Sequence, residues 1–284
     1  MRYIILHNPL SKRGKNIKIV NKIEKRLRKN NHEVEVGSIL EVKDVSSYID
    51  SLNPEDKIIV VGGDGTLHYL ANQLQDYEIK NDIFVVRKAG TGNDFVRSIK
   101  TRDHLIRIND YLVNLPYDVV KENAGQKRYF LNSIGIGLDA YVANLVNESG
   151  DRKGKWTYFK SVIKTFIKFK PFQLTAKYNG EEETFKKAWF AVVANSPYFG
   201  SGMKVSPKSE RFDDKIELVV VSGVNKLGLF LIFPFIYLGW HTIFKRWVKI
   251  VSAKEINIVC EQDQYVQYDG ETFYPRRLID VYRT

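Results

Sequence analysis

The stretch IIVVGGDGTLHYLANQL, Ile58 to Leu74, constrains the fold of this chain more than any other. Ile58 to Val61 is a continuous β-branched run, the pattern of a strand buried on both faces of a parallel sheet. Gly62, Gly63 and Gly65 follow. Lacking Cβ, they let the backbone take positive φ and let another group approach its N–H groups closely, with Asp64 at the tip. Leu67, Leu70, Ala71 and Leu74 then fall at helical spacing. Strand, glycine turn and helix start form an α/β unit, and a phosphate fits such a turn. A plain connecting turn gives the same local pattern, so the surrounding chain has to decide.

That context is a series of similar units. Tyr3 to Leu6 reads as a strand, followed by Asn8-Pro9 and a polar loop. Val20, Ile23 and Leu27 predict a helix that stops at Asn30-Asn31. Glu33 to Val36 and Ile83 to Val86 read as further strands, with a helix over Val42, Val45, Ile49 and Leu52 between them. Strands alternating with helices imply a parallel sheet with right-handed crossovers, whose ligands bind beyond the carboxyl ends of the strands. Directly after the strand at Ile83 comes a second glycine turn, Lys88 to Phe95. Adjacent parallel strands would set Asp64 and Asp94 on one rim, with Thr66, Thr91 and Asn93 as polar neighbours.

After Pro116 the pattern turns β-rich. Strands are expected at Asp118 to Lys121, Tyr129 to Ile134, Leu174 to Asn179, Ala188 to Ala194, Lys215 to Val221, Glu255 to Cys260 and Arg277 to Tyr282. Their spacing predicts a sandwich or barrel. The expected organisation is an α/β nucleotide-binding domain over residues 1–118 and a β-rich sandwich domain over 119–284. One helix is expected to interrupt the latter, from Trp156 to Lys170. Phe159, Val162, Ile163, Phe166 and Ile167 form its apolar face, and Lys160, Lys164 and Lys168 lie on another, preceded by Arg152, Lys153 and Lys155. Such a helix either packs on a core with a solvated lysine face or lies on an anionic bilayer. Leu227 to Trp247, with Trp240, Lys245, Arg246 and Trp247, shows a similar mixture and the same two readings, core packing first and an anionic bilayer second.

Composition narrows the partners. The 284 residues carry 44 basic and 33 acidic side chains, a net charge of +11, which favours a polyanion such as a nucleotide, a nucleic acid or an anionic membrane. The lone Cys260 excludes an intrachain disulfide and fits a reducing compartment. MRYIILHNP is too short an apolar run for a secretory signal. Leu227 to Trp240, the longest apolar run, falls short of the ~20 residues of a membrane span. The chain lacks a Gly-x-x-x-x-Gly-Lys-Ser/Thr loop and a Gly-x-Gly-x-x-Gly fingerprint, and its five histidines lack metal-ligand spacing. Carboxylates beside glycine turns instead suit phosphoryl transfer, where catalysis is mainly positioning and charge neutralisation.

Five motifs in order carry a resemblance. They are GGDGT at Gly62 to Thr66, GTGNDF at Gly90 to Phe95, NSIGIGLDA at Asn132 to Ala140, the run from Pro207 to Asp213, and YDGE at Tyr268 to Glu271. Together the five resemble the diacylglycerol kinase catalytic-domain family, in its soluble bacterial lipid kinase form. GGDGT also occurs in NAD kinases and sphingosine kinases, but the later motifs are not those of an NAD kinase. The resemblance implies an ATP- and Mg²⁺-dependent lipid kinase with its active site between two domains, most simply phosphorylating diacylglycerol. By motif, Asn8, Gly62, Gly63, Gly65, Thr66, Gly90, Thr91 and Asn93 resemble nucleotide contacts. Asp64 and Asp94 join the magnesium and phosphate network, and Asp213, with Asp214 and Ile216, is similar to a structural Mg²⁺ site. Glu271 resembles the acid that draws the proton from the lipid hydroxyl, with Asp64 as the rival base. Arg97, Lys155 and Lys18 resemble basic cleft residues, and Asp118 an aspartate linking the domains.

The implied protein is cytoplasmic and peripheral to an anionic membrane, with a homodimer left open and no nucleic acid expected. Other lipid hydroxyls, on phosphatidylglycerol or a sphingoid base, stay open as acceptors. So does a basic, non-catalytic protein that binds nucleotide or nucleic acid. Against the family pattern, Lys12 follows Ser11 where relatives have glycine, Tyr69 stands for Glu, Lys88 for Pro and Asp214 for glycine. Relatives also carry a tail returning to the first domain, whereas this sequence runs to Thr284.

Overall fold

The computed structural model describes residues 1–121, 124–149, 166 and 168–283. They form two compact units, Met1–Asn114 and Leu115–Thr284.

The first unit has strands β1 (Arg2–His7), β2 (Glu33–Ser38), β3 (Lys57–Val61), β4 (Ile83–Val86) and β5 (Leu105–Arg107). They lie in the order β2-β1-β3-β4-β5. The first four are parallel, as the alternating pattern predicts, while β5 pairs antiparallel with β4 and makes the sheet mixed. At three residues, β5 is too short to show a period in the sequence. Helices α1 (Ile17–Lys29), α2 (Val45–Asp50), α3 (Asp64–Gln73) and the single turn α4 (Asp94–Ser98) connect the strands. Val20 and Leu27 of α1 pack with Ile5, Ile59 and Val61, one set of alternate strand positions. The other set, Ile4, Leu6, Ile58 and Val60, is equally buried. Arg26, Arg28 and Lys29 in the last turn of α1 complement the helix dipole, and Asn31 at φ 58° follows its end. Asp44 caps α2 by accepting the Ser47 N–H at 2.9 Å.

From β1 the chain moves first to β2 on one side and then to β3 on the other. The order therefore reverses between β1 and β3, and the crevice at their carboxyl ends is where ligands of such sheets bind. Asn8 and Gly62 follow those two ends.

The second unit contains β6 (Tyr117–Val120), β7 (Gln126–Tyr129), β8 (Ser133–Gly137), β9 (Phe172–Tyr178), β10 (Glu181–Ala194), β11 (Ile216–Ser222), β12 (Val248–Ala253), β13 (Glu255–Tyr268) and β14 (Glu271–Tyr282). These run β12-β11-β10-β8-β13-β14-β6-β7, with β9 pairing both β10 and β13. The long strands β10 and β13 exchange partners midway, bonding β9 along one half and β8 along the other. Register shifts mark both strands, and such irregularities bend a sheet. Ile134, Leu174, Val193, Leu218, Ile258 and Tyr268 from five of the strands share one buried cluster.

Several expectations change here. The single strand expected at Tyr129 to Ile134 is two, β7 and β8, separated at Phe130–Asn132. The Asp269 carboxylate accepts the N–H groups of Leu131, Asn132 and Ser133 at 2.7, 2.7 and 3.1 Å, donors that a continuous ladder would use. Strand β12 is an additional element, and the last two strands are longer than expected. The helix expected at Trp156 to Lys170, with Arg152, Lys153 and Lys155, lies outside the described residues except at 166 and 168–170. There Phe166 stacks on Trp189 with ring centroids 6.1 Å apart. Among the described residues this unit also holds the α-helices α5 (Leu138–Ser149) and α6 (Lys226–Leu238). Asn225 caps α6 by accepting the Gly228 N–H at 2.8 Å, and Gly239 at φ 73° ends it. Leu229, Ile232 and Ile236 of α6 are buried with Trp189, Val219 and Val221, each contributing about 2 kcal/mol. Core packing therefore accounts for one stripe of this segment.

Asp118, on β6, is fully buried. Its carboxylate accepts from the Tyr268 hydroxyl at 2.5 Å, Arg276 Nη2 at 3.1 Å and the Asp280 N–H at 2.7 Å, tying β6 to β13 and β14. Burial raises its carboxyl above the usual range despite these donors. All three partners belong to the second unit, where the family resemblance assigns a domain-linking aspartate. Asp118→Ala leaves the buried Arg276 cation without its carboxylate and is expected to cost about 3–5 kcal/mol, read as a lower urea midpoint. Asp118→Asn keeps an acceptor oxygen and is expected to cost less.

Candidate active site

The first wall of the site is built where β1 and β3 end. The Asn8 N–H donates to Val61 O at 3.0 Å, prolonging the pairing by one residue. Its side-chain Nδ2 donates to Thr66 Oγ1 at 2.9 Å, and its Oδ1 accepts the Leu10 N–H at 3.0 Å. Thr66 sits in the first turn of α3, where its N–H and that of Leu67 both donate to Gly63 O. A Cβ on Gly62 would come within 2.4 Å of the Thr66 Cβ, so only glycine leaves Thr66 its place over the turn. Gly65 has open space around it, as a backbone approached by a ligand needs. Asn16 underlies the whole wall. Buried before α1, it donates from Nδ2 to Asn8 O at 3.1 Å and Val61 O at 3.3 Å, with its Oδ1 sealed from solvent and unbonded. Sequence reasoning passes over it, because an Asn before a helix looks like an ordinary cap.

The second glycine turn meets the first. A Cβ on Gly90 would stand 2.5 Å from Gly63 Cα, and one on Gly63 would stand 3.2 Å from Gly90 Cα. The two backbones touch, and neither position tolerates a side chain without moving the other. Asn93, at φ 54°, closes the turn on itself: its Oδ1 accepts the Gly90 N–H and its Nδ2 donates to Gly90 O, both at 2.8 Å. The residue expected as a nucleotide contact thus shapes the loop. Asp64 Oδ1 accepts the Phe95 N–H at 3.0 Å, which fixes the first acid to the second turn. Asp94 is buried in the turn α4, 3.9 Å from Arg97 Nε, while Arg97 Nη2 donates to Gly92 O at 3.3 Å. Thr91 and Lys18 are exposed. Two departures from the family pattern also meet, since Lys12 Nζ donates to the Lys88 carbonyl at 2.6 Å.

The sequence-predicted residues of the second unit form separate groups. In YDGE, Tyr268 bonds Asp118 and Asp269 holds the Leu131–Ser133 amides. Asp269 at φ 48° and Gly270 at φ 96° make the two-residue Asp-Gly hairpin turn. This leaves Glu271 exposed at the start of β14, opposite Tyr268. At Asp213, burial raises the carboxyl, whose Oδ1 accepts the Lys215 N–H at 3.4 Å. Asp214 pairs with Lys254 at 2.7 Å, which lowers its carboxyl, and Ile216 is buried in β11. Lys155 lies outside the described residues.

In the first unit a magnesium ion would be held by few carboxylates. Asp64 and Asp94 on neighbouring turns are the small carboxylate set that leaves room for phosphate oxygens and water. At the Asp213 turn, the Asp214 carboxylate is paired with Lys254. Among the described residues no group of three or more His, Cys, Asp and Glu could hold a metal on its own.

Asp139, inside the NSIGIGLDA motif, is a group to which motif reading gives no role. It lies in the first turn of α5, with its Oδ2 so close over Gly135 that a Cβ there would be 1.8 Å away. Gln267 Nε2 donates to Oδ2 at 3.5 Å, while Oδ1 is sealed and unbonded. Burial pushes its carboxyl up to about 7, against the Ala140 N–H and Gln267, which favour the charged form. Only the acidic residue type and the glycine four positions before it hint at this in the sequence.

Family models match both units of the chain. Residues 2–114 match the diacylglycerol kinase catalytic domain, and residues 132–276 match the YegS C-terminal NAD kinase beta sandwich-like domain. A Bacillus subtilis (strain 168) protein named "Putative lipid kinase YtlR" is 32% identical over 230 residues, 76% of this chain and 74% of that one. The chain belongs to the diacylglycerol kinase catalytic-domain family. A "Putative lipid kinase" of Staphylococcus epidermidis (strain ATCC 12228 / FDA PCI 1200) is 27% identical over 247 residues, 80% of this chain and 76% of that one. Among solved structures, one titled a "putative diacylglycerol kinase" from Bacillus anthracis str. Sterne shares the fold at a TM-score of 0.69 and 23% identity, covering 99% of this chain and 92% of its own. Family membership implies use of ATP and a lipid substrate. Among the described residues no helix is long and apolar enough to cross a membrane.

Two substitutions test the geometry. Gly90→Ala drives a Cβ into the Gly63 backbone and is expected to cost about 1–3 kcal/mol, seen as a lower Tm. Gly65→Ala, with open space around it, leaves Tm unchanged or higher. For Asp139, the folded state favours the protonated acid, so the stability it lends at low pH is lost as pH rises through about 7. Asp139→Asn is therefore expected to raise Tm above pH 7, with the gain shrinking as pH falls below it, read from thermal melts across that range.

Proposed function

We propose that this protein transfers the γ-phosphoryl group of ATP to a lipid hydroxyl, with diacylglycerol as acceptor and phosphatidic acid as product. The observation that carries the reading is the backbone contact of Gly63 with Gly90 at the carboxyl ends of β3 and β4. It sets two glycine turns side by side and ties Asp64 to the second through the Phe95 N–H. Family membership and the names of the relatives support the lipid acceptor.

In this reading the glycine turns and the start of α3 receive the phosphates, where backbone N–H groups and the helix dipole favour negative charge. Asn8 and Thr66 hold the entrance of the turn, and Arg97 adds positive charge beside Asp94. Asp64 and Asp94 would hold a magnesium ion, which would supply neutralisation of charge on the phosphates. The lipid hydroxyl gives its proton to Glu271 or Asp64 as its oxygen bonds the γ-phosphorus. The bond from that phosphorus to the β-phosphate oxygen breaks, and ADP leaves. A base must lie within hydrogen-bond reach of the hydroxyl. Glu271 and Asp64 belong to different units, so their variants separate the two assignments.

Phosphate transfer from labelled ATP to diacylglycerol in mixed micelles tests the reading. Asp64→Ala is expected to lower the rate about a hundredfold or more, and a Glu271→Gln variant that keeps the wild-type rate would remove Glu271 as the base. Equal rates for wild type and Asp64→Ala would remove Asp64 from the mechanism. A panel with phosphatidylglycerol and a sphingoid base assigns the acceptor, and no transfer to any lipid would overturn the activity.

A further inference from the structure

A helix that is apolar all round belongs either in a core or in lipid, and α6 is only partly in a core. Leu229, Ile232 and Ile236 form its buried stripe. On the remaining surface Leu227, Phe230, Leu231, Tyr237 and Leu238 are 68, 58, 61, 47 and 55% exposed, and Trp240, just past the helix end, is 59% exposed. Exposed apolar residues scattered singly are ordinary, but contiguous ones of this size mark an interaction surface.

Charge says what covers it. Lys226 opens the helix, Lys245 and Arg246 follow its short continuation, and all three are exposed. The Lys204 stem runs beside its end, where a Cβ on Gly239 would be 3.0 Å from Lys204 Cδ. Between Leu218 and Lys254 the sequence has no Asp or Glu. A second copy docked by a two-fold axis would set this face against itself and bring like-charged rims together. An anionic lipid surface instead complements the rim. Leu and Phe enter the acyl boundary, Tyr and Trp sit at headgroup level, and lysine stems reach out to the phosphates. At 13 residues the helix is too short to span a bilayer and suited to lying in its surface.

We propose that the outward face of α6, continued through Trp240, is a docking surface for anionic membranes. No step of the kinase reading enters this argument, and binding is measured without nucleotide. The full chain is sedimented with vesicles of phosphatidylcholine alone and of phosphatidylcholine with an equal amount of phosphatidylglycerol. Wild type is expected on the anionic vesicles, less so in high salt. Leu231→Glu with Leu238→Glu, both at exposed positions, is expected to lower the partition coefficient roughly tenfold or more. Lys245→Glu with Arg246→Glu is expected to abolish the preference for anionic lipid. Circular dichroism and Tm confirm that each variant is folded. Equal binding by wild type and a folded Leu231→Glu/Leu238→Glu variant would overturn the proposal, as would wild type failing to sediment with anionic vesicles. A wild-type dimer that this variant converts to monomer, without vesicle binding by either, would assign the face to a second copy.

Discussion

The contact between the Gly63 and Gly90 backbones is the constraint on which the first unit depends. Two parallel strands bring their turns to the same edge, but strand spacing alone does not make the turns touch. Glycine at both positions lets them do so. The surrounding bonds, from Asn8 to Thr66, from the Phe95 amide to Asp64 and from Asn93 back to Gly90, then hold the approach. The acids sit on a rigid base because the backbone beneath them is shared. Asn16 serves the same end from below, linking the carboxyl ends of β1 and β3 at the point where the strand order reverses.

In the second unit buried polar groups organise β-structure in a comparable way. Asp118 collects donors from two other strands, and Asp269 takes three successive amides from Leu131 to Ser133, where the chain enters β8. Both are bonded to motif residues or belong to a motif, yet what they do is structural. Of the YDGE letters, three support the hairpin and its neighbours, and one, Glu271, is presented at the surface.

Much of the first unit was legible in the sequence. Its strands are unbroken β-branched runs, its helices have clear apolar faces, and the two glycine turns follow strands in the pattern that α/β sheets impose. What was not legible depends on partners distant in the chain. The break at Phe130–Asn132 is made by Asp269, and a local reading sees only a run suited to a strand. Asn93 and Asn16 have the composition of a ligand contact and a helix cap, and only the folded turns show where their amides go. Strand β5 is too short to carry a period. The segment at Leu227 mixes apolar and basic residues and reads first as core, and only the fold shows how narrow its buried stripe is.

The bond from the Asp280 amide to Asp118 spans 162 residues, and β6 finds its place beside β14, near the end of the chain. On the ribosome, the first unit has all its strands once Asn114 has emerged. The β-rich unit must wait with β6 unpaired on that side and the Asp118 carboxyl without its buried partners until β14 is made. Long-range pairing of this kind slows folding and prolongs the exposure of strand edges. Synthesis of this protein therefore completes the strands of the first unit early and brings β6 its second partner only when β14 is made.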